Sequence, residues 1–61
     1  MANLTSKELS ALEDQLGFEQ MSICKYKAAA QETTETALKT CYERFAGQHQ
    51  QNFNNLLNYL K

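Results

Sequence analysis

Gln31-Glu32-Thr33-Thr34-Glu35-Thr36 separates two helical patterns and decides how the chain is folded. Its three β-branched threonines weaken helix, and their hydroxyls can cap a new one, so a turn is expected near Thr34. Upstream, Leu9, Leu12, Leu16, Glu19, Ile23, Tyr26 and Ala30 recur at steps of three and four, which stacks them along one helical face. Downstream, Leu38, Tyr42, Phe45, His49, Phe53, Leu56 and Leu60 form a second seam of the same kind. The expected fold is all-α: a first helix over about 6–31, a turn over about 32–35 and a second helix over about 36–60, so that residues 1–61 form a single antiparallel helical hairpin.

Local signals agree with these bounds. Thr5-Ser6-Lys7-Glu8 matches a capping box, in which the Thr5 hydroxyl and the Glu8 carboxylate each accept from the other residue's amide, and Leu4 with Leu9 supplies a hydrophobic staple. Gly17 costs the first helix about 1 kcal/mol relative to alanine. Gly47 is read as a place where another helix comes close rather than as a break. One unbroken helix through the threonines is the rival architecture, but the two seams do not share the single heptad register that a long coiled coil requires.

Glu19 and His49 are the polar residues on otherwise apolar seams. Each stands fifteen residues from Thr34, roughly 22 Å from the bend at 1.5 Å per residue, so a hairpin brings them to the same height. A buried carboxylate or imidazole is costly to leave unpaired, so the two are expected to bond each other or to coordinate an ion. A bonded pair fixes register and needs no chemistry. As metal ligands, Glu19 and His49 drawn from two chains would supply a nitrogen and oxygen set suited to zinc or iron.

A chain of 61 residues buries only about 60% of the surface its unfolded form exposes, so a partner is expected. The first helix also carries Ala11, Phe18, Ser22 and Ala29 along a flank of its seam. That widened face points to a homodimer of hairpins, a four-helix bundle with a two-fold axis. An interaction adaptor would need an exposed apolar patch, for which Met21 on the back of the first helix is the candidate.

The net charge is −1 and the pI about 5.7, with cations scattered among acids, which argues against nucleic-acid partners. No run approaches the length of a membrane span and no export signal is recognisable, so the expectation is a soluble, cytoplasmic protein. Cys24 and Cys41 are then expected as reduced thiols packed in the core or on its flank, with a disulfide across the hairpin left open by their heights. Tyr26, Tyr42 and Tyr59 are expected to pack the bundle rather than to carry redox chemistry. No glycine-rich phosphate loop and no evident oxyanion donors accompany the cysteines, so no enzyme activity is expected.

The stretch Glu8-Leu9-Ser10-Ala11-Leu12-Glu13-Asp14-Gln15-Leu16, then Glu19-Gln20, Lys25-Tyr26-Lys27, Gly47-Gln48-His49-Gln50-Gln51 and Leu56-Leu57, resembles small spore-coat proteins of the coat-protein-F type. The resemblance implies a ferritin-like bundle, a place in the spore coat of a spore-forming bacterium, and other coat proteins as partners. Ferritin-like di-iron sites draw on a glutamate from one helix and Glu-x-x-His from the next. Glu19 and His49 match two of those places, but the residue three before His49 is Ala46. Without that bridging carboxylate, oxygen activation at paired irons is not implied, and a non-enzymatic structural component or a degenerate metal-binding module is.

Overall fold

The computed structural model describes residues 3–60, and these form two long helices and one short helical turn. Helix α1 spans Ser6–Glu32 and helix α2 spans Thr36–Leu57. The capping box is complete: Thr5 Oγ1 accepts from the Glu8 amide at 3.1 Å, and Glu8 Oε1 accepts from the Thr5 amide at 2.9 Å. Two of the orphan amides at the start of α1 are thereby satisfied.

Three residues make the turn. Thr33 leaves the helix with extended backbone while its amide still donates to the Ala29 carbonyl at 3.1 Å. Its hydroxyl accepts from the Glu35 amide at 3.2 Å, which tightens the bend. The cap of α2 is Glu35 rather than a threonine, for its carboxylate accepts from the Ala37 amide at 3.1 Å. A negative group there also meets the positive end of the helix dipole.

Helix α2 ends earlier than the expected residue 60. The α-helix stops at Leu57, and Asn58–Leu60 tighten into a 3-10 turn as the Asn58 amide donates to the carbonyls of Asn55 and Leu56. Asparagines at 54, 55 and 58 are weak helix formers, so the last turn of the seam lacks the propensity to continue.

The helices run antiparallel in the register that the sequence implies. Glu19 meets His49, and Tyr26 meets Tyr42, each pair equidistant from Thr34. The interior between them is thin. Ile23, Ala30 and Ala46 are its buried apolar residues among those described, Glu19 is buried beside them, and no large side chain is fully enclosed. Leu12, Leu16, Tyr26, Tyr42, Phe53, Leu56 and Leu57 are half-buried around that strip.

Four seam residues are corrected by the structure. Leu9, Leu38, Phe45 and Leu60 are exposed, although the spacing placed them inside. On α2 the central position belongs to Ala46, whose small side chain lets the helices come together, and Phe45 is turned to the flank. Cys24 and Cys41 are exposed free thiols rather than core residues. Gly47 is not a point of contact between the two helices, because a methyl group added there, or at Gly17, would meet nothing within 4 Å.

Candidate functional site

The polar centre is built by one residue from each seam and one amide beside each. Glu19 is 4% exposed, with its Oε1 2.5 Å from His49 Nδ1. Asn52, one helical turn beyond His49, donates to the same oxygen at 3.4 Å. Gln15, one turn before Glu19, donates from Nε2 to the other carboxylate oxygen at 2.8 Å. Both oxygens of a buried acid are thus engaged, as burial demands.

These contacts set the charge on the acid. The hydrogen bond from His49, and after it the one from Gln15, hold the Glu19 carboxyl below its ordinary value, against the opposing effect of burial. With the carboxylate ionised, the proton between the two groups belongs to Nδ1, which donates it. The arrangement is a charge-assisted hydrogen bond between two helices, stronger than a neutral one.

Aromatic rings hold the imidazole in place. Tyr26 stacks on the His49 ring with centroids 5.7 Å apart and planes 8° from parallel. Phe18 meets it edge-on at 6.1 Å. Tyr26 also meets Phe45 edge-on at 5.3 Å and stacks on Tyr42 at 6.1 Å. His49 therefore has one ring nitrogen held by Glu19 and its ring packed against those of Tyr26 and Phe18. Its side chain keeps 23% of its surface, against 6% for Glu19, so the centre is closed at the acid and partly open at the imidazole.

The sequence-predicted pair is brought together, and the remaining candidates are not. Cys41 opens on a hollow lined with Arg44, Phe45 and Gln48, to which none of the four residues of the centre contributes. Tyr26 and Tyr42 pack as expected, whereas Tyr59 is exposed beside a shallow hollow shared with Gln15, Glu19 and Asn52. Gln15 and Asn52 were not foreseen as members of the centre. Their spacing carried the signal, since a residue four before Glu19 and one three after His49 must lie on the same helical faces.

Every buried side-chain nitrogen and oxygen among the described residues has a hydrogen-bond partner. No three potential ligands of the His, Cys, Asp or Glu type cluster among those residues. Among the described residues no helix is long and apolar enough to cross a membrane. In comparisons with known proteins, the chain matches no family model, no curated protein and no solved structure.

Proposed function

We propose that this chain is a structural assembly protein without enzymatic activity, which acts as a homodimeric four-helix bundle of the ferritin-like kind. The exposed aromatic flank carries this reading. Among the described residues no large side chain is fully enclosed, and Phe18 is 55% and Phe45 49% exposed, next to the ring cluster on His49. Large apolar groups left in water beside a thin core are what a partner covers. The Glu19–His49 bond then serves register: a slip of the helices would leave an acid buried without its partner.

The resemblance to coat-protein-F-type proteins supplies the biological setting: a component of a bacterial spore coat with other coat proteins as neighbours. The test of the assembly reading is the mass in solution. Size-exclusion chromatography with light scattering at micromolar concentration is expected to give twice the 7.0 kDa chain mass. A single 7.0 kDa species across the concentration range would remove it.

One observation favours a second reading, a degenerate metal-binding module. A histidine whose Nδ1 donates to a carboxylate presents Nε2 as the free ligand atom, the arrangement found behind many metal-bound imidazoles. In that reading His49 from each chain binds zinc or iron, and Glu19 orients the ring more than it ligates, since both its oxygens already accept hydrogen bonds. Elemental analysis of protein purified without chelator separates the two readings. Stoichiometric metal lost in His49→Ala supports the second, and protein that takes up neither zinc nor iron excludes it.

A further inference from the structure

We infer that a second copy of this chain docks on the broad side of the hairpin that carries Phe18, Leu38 and Phe45, and not on the opposite side, which carries Lys27, Lys39 and Glu43. The inference rests on the proposed pairing and specifies its surface. At about 100° per residue, Phe18, Ser22 and Ala29 fall on one flank of the α1 seam, and Lys27 and Gln31 fall on the other. On α2, Leu38 and Phe45 fall on one flank of Ala46, and Glu43, Gly47 and Gln50 on the other.

The contacts show which flanks share a side. Tyr26 meets Phe45, and Phe18 meets His49, which puts the two aromatic flanks together. Lys27 and Gln31 border one hollow with Lys39, Glu43, Gly47 and Gln50 over a floor of Ala30 and Ala46, which puts the two charged flanks together around a small-residue floor. The two sides therefore differ in kind. Exposed Phe18, Leu38 and Phe45 mark the first along its middle and turn-proximal length, while exposed Leu9, on the Lys27 flank of α1, lies at the open end with Tyr59 and Leu60, and Met21 points out from the back of α1.

Three features make a second copy the occupant. The described residues extend over 46 × 15 × 11 Å, so a broad side has an outline of about 700 Å², room for an interface approaching the roughly 800 Å² of surface that each partner buries in a stable complex only if a second copy covers its whole length. Bulky Phe18 and Phe45 share their side with short Ser22 and Ala29, and an interface with two-fold symmetry needs projections and recesses on one patch. The Ser22 hydroxyl already donates to the Phe18 carbonyl at 2.9 Å, so covering it strands no donor.

The two exposed thiols are built-in reporters. Cys41 borders Phe45 in the hollow on the aromatic flank, while Cys24 lies about 140° around α1 from Glu19 and faces away from the pairing surface. Alkylation by N-ethylmaleimide, followed for each cysteine by peptide mass spectrometry over a concentration series, is expected to slow at Cys41 as the mass doubles and to stay constant at Cys24. Phe18→Glu with Phe45→Glu is expected to reduce the mass to that of one chain, and Lys27→Glu with Lys39→Glu to leave the dimer intact. A dimer that survives the first pair and is lost with the second, or one that shields Cys24 and not Cys41, overturns the choice of side while leaving pairing in place. A wild-type chain that is monomeric throughout overturns both. If the phenylalanine variant does not fold, the alkylation pattern of the wild-type chain still decides.

Discussion

Replacing Ile23 by alanine tests whether the narrow strip between the helices holds the hairpin closed. Ile23 is 8% exposed, so nearly all of its side chain is out of water in the strip between the helices. The substitution removes three carbons, and at about 0.8 kcal/mol each the loss is about 2.4 kcal/mol. The cavity contribution adds little because the hairpin is open at both edges, which keeps the total near the low end of the range of about 2–5 kcal/mol for such truncations. A chain of this length has a total stability of roughly 3–9 kcal/mol, so the loss is a large share of it. The midpoint of thermal unfolding should fall by about 10–20 °C. Far-ultraviolet circular dichroism measures it, at one fixed chain concentration because association makes the midpoint concentration-dependent. Met21→Ala is the control: Met21 is 74% exposed, and its loss should stay within about 0.5 kcal/mol. If the two variants melt together, the helices are not held through Ile23 and the packing described above is wrong.

Three further predictions follow from the caps, the glycines and the buried acid. Thr5→Ala removes the capping-box acceptor and should cost about 1 kcal/mol, with faster amide exchange in the first turn of α1; unchanged exchange at the Glu8 amide would count against the cap. Gly17→Ala introduces no clash, since an added methyl meets nothing within 4 Å, and should raise stability by up to about 1 kcal/mol through helix propensity; a lower melting midpoint would show that the site is occupied by something else. Because the Glu19 carboxyl is held below its ordinary value of 4.5, the stability it contributes is complete above that value and is lost as pH falls through the lowered folded value. Glu19→Gln should accordingly flatten the acid limb of a stability–pH curve, and an identical limb in both proteins would argue that the acid is not paired.

The sequence made the backbone of this fold readable where the relevant forces are local. A threonine followed three residues later by glutamate fixed the start of α1, and threonines around residue 34 fixed the bend, because capping and β-branching act within a few residues. The meeting of Glu19 with His49 was equally legible, since equal distance from the turn on two helical faces leaves them one height at which to stand. The seam of α2 was not. Both Tyr42-Phe45-His49 and Tyr42-Ala46-His49 satisfy helical spacing, and hydrophobicity favours the phenylalanine, whereas a close approach of two helices favours the alanine. That choice depends on the separation of the axes, which no short stretch of sequence encodes. The cysteines were misplaced for a related reason: thiols are commonly buried, but Cys24 and Cys41 lie off the strip that two helices alone can cover.

The pairing of Glu19 with His49 is open to direct observation by nitrogen–proton correlation spectroscopy of the imidazole, recorded in alkaline buffer where one ring nitrogen alone carries a proton. This proton is expected on Nδ1, exchanging slowly with water and losing its protection in Glu19→Ala. A proton on Nε2, or an Nδ1 proton indifferent to the loss of Glu19, would contradict it.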